Sequence, residues 1–403
     1  MPWAPAALVA LSLLTTSCAS HEDTASAPKT AASASAPHGY VEGAQEKAEQ
    51  QSRLLLNDPA TGDTRVLDLI TGKSHEVSRT TGTTELTTDG RFGYLHKGRS
   101  TRVLDSGAWM VDHGDHVHYY RAAIRDVGRV PGGPGTRVRS DAAVTAVTDA
   151  DGRARIYRRA GLEKGEAGAA RTLPGTHAGA VVPYAEHLLG VTDEGKVEVY
   201  DRAGRRTGSP DLRCEEVRGD AVTRRGVVLG CADGALLVRE DDGTFTAEKI
   251  PYGSEVPEAE RATAFRHRPG SDTLAAQAGK RAVWVLDVGE RRWTRVRTGP
   301  VVAANTAGEG SVLIVLETDG ALHGYDIATG KQVTRTKPLL TGAPDSGPAG
   351  SDARPVIEVD RSRAYLNDPE GKRVYEIDYN DNLRIARTFD LDFEPVLMAE
   401  AGR

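Results

Sequence analysis

The stretch "MVDHGDHVHYY", residues 110–120, sets His113, His116 and His118 close together, with Asp112 and Asp115 interleaved, in a chain of 403 residues that has 11 histidines. Imidazole and carboxylate without thiolate make a donor set that suits Zn²⁺ best and would also bind Cu²⁺. In an extended strand residues two apart face the same side, so His116 and His118 project together while Val117 and Tyr119 turn away. His113, beside Gly114, swings in as a third ligand, and Asp112 or Asp115 either ligates or orients an imidazole through its second nitrogen. Two other readings compete: a catalytic site, and a solvated edge strand whose histidines merely coincide.

The remaining chemistry-bearing residues narrow the choice. There is no G-x-S-x-G elbow and no glycine-rich phosphate loop. The 4 tryptophans do not recur at a fixed place, which disfavours a quinoprotein. Lys and Arg (51) nearly balance Asp and Glu (57), so no basic stripe of the kind nucleic acid requires is present. His75, His96, His187 and His267 stand singly beside turns or on strands and read as structural. His323, inside the alternating run "ALHGYDI", is the one that could face a central channel.

The ends of the chain place it outside the cytoplasm. "MPWAPAALVALSLLTTSC", residues 1–18, carries an apolar run from Ala6 to Leu14, too short to span a bilayer but suited to a signal peptide. It ends like a lipobox, with Cys18 as the lipidated residue; a plain secreted product is the alternative. Residues 19–50, rich in Ala, Ser, Pro, Glu and Gln, read as a disordered tether. His21, Glu22, Asp23 and His38 lie in it as solvated linker residues. In an oxidising compartment the other two cysteines, Cys214 and Cys231, are most simply a disulfide, with a zinc–thiolate pair as the other use.

The elements that must position the cluster follow from a repeat. "LLLNDPATGDTRVLDLITGK" from Leu54 reads as strand, turn, strand, turn, and the pattern recurs from Tyr94, Val144, Leu188, Gly226, Thr273, Val312 and Ala364. The interval between Asp68 of the first copy and Asp378 of the last averages about 44 residues per copy, the span of a four-stranded blade. Residues 51–403 are therefore expected to form one all-β domain, a β-propeller of seven or eight four-stranded blades. "LRIARTFDLD" (383–392) supplies an extra strand expected to close the ring.

With those segments in view, "WMVDHGDHVHYYRAAIRDVGRVPG" resembles the signature of the AztD family of extracytoplasmic zinc metallochaperones. "LPGTHAGAVVPY" (173–184), the cysteine pair in "RCEEVRGDAVTRRGVVLGCADGALLV" (213–238) and the ending "AYLNDPEGKRVYEIDYNDNLRIARTFDLD" resemble AztD segments in the same order. The resemblance implies a zinc-binding β-propeller, and it implies His113, His116 and His118 as ligands or near neighbours, with His177 contributed by a following blade. It also implies a partner, the solute-binding protein of a zinc ABC importer. Three positions depart from the family pattern. Arg137 and Arg139 stand where an H-x-H pair is common, and Arg218 stands where a histidine follows the first cysteine; a guanidinium cannot ligate a metal.

The reading is a monomeric, non-enzymatic zinc carrier, touching the membrane only through a lipid at Cys18. Its rivals are a metal-free interaction scaffold and, further off, a metal-dependent propeller hydrolase.

Overall fold

In each repeat copy the apolar run cannot stop gradually, because an aspartate and a glycine end it together. In "DLITGK" the Asp68 carboxylate accepts from the Thr71 backbone N–H (2.9 Å) and hydroxyl (3.0 Å), and Gly72 takes the left-handed φ of 68° that completes the turn. "DIATGK" repeats the device at Asp326, Thr329 and Gly330. Strands bounded in this way pair with their neighbours as antiparallel hairpins.

The computed structural model describes residues 39–114, 116–342 and 355–403. Among them lie eight four-stranded antiparallel sheets and one three-stranded sheet. Each of the eight sequence repeats forms the two middle strands of one four-stranded sheet, from Arg53–Asn57 with Thr64–Asp68 in the first to Ala364–Asp368 with Arg373–Asp378 in the eighth. Middle strands such as Arg53–Asn57 are buried along their whole length, whereas the outer strand Ser74–Val77 is mostly solvated.

Consecutive sheets share apolar layers. Leu55 and Val66 of the first sheet pack with Leu95 and Leu104 of the second; Phe92 and Val103 of the second pack with Val147 and Tyr157 of the third. The series continues through Ile314 and Leu316 of the seventh sheet against Leu366 and Ile377 of the eighth. Leu54 and Leu56 then meet Tyr365 and Val374, so the eighth sheet packs on the first and the circuit closes. Leucine, valine and alanine fill most of these layers, as an aromatic content of 5% requires.

The closing strand is not the expected one. Arg384–Asp390 is the outermost strand of the eighth sheet, and Leu397–Ala401 pairs with Arg53–Asn57 to complete the first. The physical reason is burial: Leu397–Ala401 is buried at every residue, with Leu397, Ala399 and Ala401 packed against Leu55 and Leu95, while Arg384–Asp390 exposes several polar side chains. The tether also ends earlier than residue 50, because Gln45–Lys47 forms a strand. The signal segment, Cys18, His21, His38 and Asp115 lie outside the described residues.

Candidate metal centre

The histidine stretch leaves the second sheet as an inserted hairpin, Ala108–Asp112 paired with Val117–Arg121, between that sheet's strands Ser100–Asp105 and Arg125–Pro131. Its base is anchored by Trp109, which stacks on Tyr120 at 5.4 Å and carries the buried Arg91 guanidinium 3.7 Å above its ring. At its tip the His113 N–H donates to the His116 carbonyl (2.9 Å), and the Gly114 N–H donates to the Asp112 carboxylate (2.8 Å). Gly114, at φ 90°, permits that tight return.

The turn and the strand alternation together converge three imidazoles. Ring centroids are 4.8 Å apart for His113 and His116, 5.0 Å for His116 and His118, and 5.3 Å for His113 and His118. One nitrogen from each lies within 4.8 Å of the others. Three nitrogens on one Zn²⁺ at about 2.0 Å stand roughly 3.3 Å apart, so small ring rotations bring this set onto a metal. His113 and His116 are exposed and His118 is partly buried, leaving the site open on one side.

Gln45–Lys47 adds a residue that the sequence did not offer. It pairs with the free edge of Val117–Arg121, placing Glu46 opposite Tyr120 and diagonal to His118. Glu46 Oε1 then lies 2.7 Å from His118 Nδ1. Burial, with Glu46 alongside, raises the Tyr120 phenol pKa. No local signal marks Glu46, which sits in a polar run indistinguishable from the tether before it.

Asp112 is not placed as a ligand. Its Oδ2 pairs with Arg224 (3.1 Å) on a turn of the fifth sheet and with Arg361 (3.5 Å) on a turn of the eighth. The hairpin tip is therefore tied to two sheets other than its own.

His177 is not among the clustered donors. It is buried between the third and fourth sheets, with its backbone N–H bonded to Gly152 and its ring 6.0 Å from that of Tyr200. Burial lowers its pKa, the form expected of a neutral packed imidazole. The sequence placed it by resemblance, and only the loop path sends it into the core instead.

Of the three arginines at positions where the resemblance expects histidine, two hold carboxylates. Arg139, on the inner strand of the third sheet, clasps buried Asp220 on the inner strand of the fifth. Arg218 bonds Glu216 (2.8 Å) and Glu258 (3.0 Å), while Arg137 is exposed. His323 lies on Leu322–Tyr325, the third strand of the seventh sheet, and so does not face a central channel. Cys214 and Cys231 form a disulfide, both fully buried in the layer between the fourth and fifth sheets.

The fold so assembled is similar to that of AztD. The structure of AztD from Citrobacter koseri superposes with a TM-score of 0.71 at 18% identity, covering 88% of this chain and 98% of that one. The apo form of the same protein gives 0.71 at 17%, again covering 88% and 98%. Dihydro-heme d1 dehydrogenase NirN in complex with DHE is more distant, at 0.53 and 13% identity, covering 88% of this chain and 76% of that one. No family model matches the sequence. No curated protein matches it either.

Proposed function

Starting from an AztD-like fold, we propose that this chain is an eight-bladed β-propeller that binds zinc outside the cytoplasm and hands it to the solute-binding protein of a zinc ABC importer. The observation that carries the reading is the convergence of His113, His116 and His118 at the tip of one hairpin. Zinc is cargo here, not a resident cofactor. With Nδ1 of His118 engaged by Glu46, Nε2 is left as its donor nitrogen. Two further imidazoles and a solvent molecule would complete a four-coordinate ion.

Exposure of His113 and His116 suits transfer, since an incoming ligand reaches the metal without unfolding the hairpin. The eight closed sheets supply the rigid ring, each serving as a blade. A buried disulfide suits an oxidising compartment, and residues 1–18 supply export, with Cys18 as the lipid anchor. No bond-making step is assigned to the protein.

Isothermal titration of the exported protein with Zn²⁺ tests the binding. About one tight equivalent at the hairpin is expected, lost in the His116→Ala/His118→Ala double variant with circular dichroism unchanged. Unchanged tight binding in that variant would sink the reading, and no zinc uptake by the wild type would leave an interaction scaffold in its place. Delivery is read separately, as zinc appearing on the purified solute-binding protein faster than free dissociation allows.

A further inference from the structure

The seventh sheet carries a second group of converging metal-type donors that the zinc-carrier reading does not use. Glu317 ends the strand Leu313–Glu317, Asp319 lies on the turn that follows, and His323 sits on Leu322–Tyr325. Glu317 and His323 are buried, at 6% and 5% exposure, and Asp319 forms the open rim. One donor atom from each lies within 4.8 Å of the others.

Glu317 and His323 are each held so that one donor remains directed at the shared point, and both Asp319 oxygens lie against it. Glu317 Oε1 accepts from the Tyr325 hydroxyl (2.5 Å) and the Gly299 N–H (2.9 Å), which turns Oε2 toward His323 Nε2. His323 Nδ1 lies 3.1 Å from Gln332 Oε1 and donates to it, leaving Nε2 to face two carboxylates. Asp319 Oδ2 takes the Arg335 guanidinium at 2.7 Å, while Oδ1 takes the Ala321 N–H at 3.0 Å.

The separations then discriminate between two cations. His323 Nε2 lies 3.2 and 3.1 Å from the Asp319 oxygens and 3.6 Å from Glu317 Oε2. A proton on Nε2 serves Asp319 but leaves Glu317 Oε2 beyond hydrogen-bond reach. A single metal at bond lengths of about 2.0–2.2 Å holds its donors roughly 3.3 Å apart, and so serves all three. We infer that Glu317, Asp319 and His323 form a second divalent-cation site, of the mixed imidazole–carboxylate kind that takes Zn²⁺ or a neighbouring transition metal. The site stands whether or not the hairpin carries zinc for delivery, because the two share no residue.

The test uses full-length exported protein with His113, His116 and His118 all changed to alanine, stripped with chelator and titrated with Zn²⁺. About one equivalent is expected to remain. Asp319→Asn, at a rim position that leaves the core intact, is expected to weaken it at least 10-fold, and Glu317→Gln, which keeps the acceptor for Tyr325, to do the same. With Co²⁺ as the probe, visible absorption typical of a nitrogen–oxygen site should appear in the triple variant and disappear on His323→Ala. No retained zinc in the triple variant, or retained zinc that neither Asp319→Asn nor Glu317→Gln weakens, overturns the inference and leaves His323 as a hydrogen-bond partner of Asp319.

Discussion

Glu46 Oε1 lies 2.7 Å from Nδ1 of His118, although 72 residues separate the two in the chain. A carboxylate on the far nitrogen of a ligating imidazole fixes its orientation and raises its basicity. Glu46→Gln is therefore expected to weaken zinc binding at the hairpin about 10-fold or more while leaving the hairpin's own stoichiometry at one. Competition titration against a chromophoric chelator measures it. An unchanged affinity would mean that the contact only seats the N-terminal strand.

Asp112 tests the hairpin's anchorage rather than its ligand set. Its pairs with Arg224 and Arg361 are partly solvated, so each contributes about 1 kcal/mol or less. Asp112→Asn should lower zinc affinity far less than His116→Ala, yet make the 108–121 hairpin cleave sooner in limited proteolysis. If Asp112→Asn abolishes zinc binding, Asp112 is a ligand and the arginines give way when metal arrives.

The Cys214–Cys231 bridge closes a loop of 17 residues across the layer between the fourth and fifth sheets. Changing both cysteines to serine should destabilise by about 3 kcal/mol in the chain-entropy model. The expected readout is a lower Tm with zinc affinity unaltered, since neither sulfur is among the clustered donors. Two free thiols in the non-reduced native protein would contradict the bridge.

His96 makes stability fall in acid. It is fully buried between Thr87 and Thr101, whose hydroxyls lie 3.0 and 2.8 Å from its nitrogens, and burial pushes its pKa down from 6.5 to about 4. The folded state prefers the neutral ring, so the contribution is fully present above pH 6.5 and is lost as pH falls through about 4. The loss amounts to about 3 kcal/mol across that window. Urea denaturation at stepped pH should show it, with a shallower slope in His96→Gln; identical slopes would assign the acid sensitivity to other groups.

What the sequence determined by itself was local. An apolar run ended by Asp, Thr and Gly can do little but form a hairpin, so the eight repeats from Leu54 to Ala364 and the eight four-stranded sheets coincide. The His113, His116 and His118 cluster was legible for the same reason, because strand alternation and one glycine turn suffice to bring the rings together. Two cysteines beyond Cys18 left one simple pairing. Everything else depended on which distant segments meet. The closing strand proved to be Leu397–Ala401 because its apolar residues pack with Leu55 of the first sheet and Leu95 of the second, a contact between segments more than 300 residues apart that residue spacing does not reveal. Glu46 reaches the histidines because its strand pairs with the edge of Val117–Arg121, where it faces Tyr120, 74 residues on, whereas the His177 loop runs into the core. Arg139 found Asp220, and Glu317 and Asp319 found His323, through side-chain directions that sheet packing fixes and residue spacing does not.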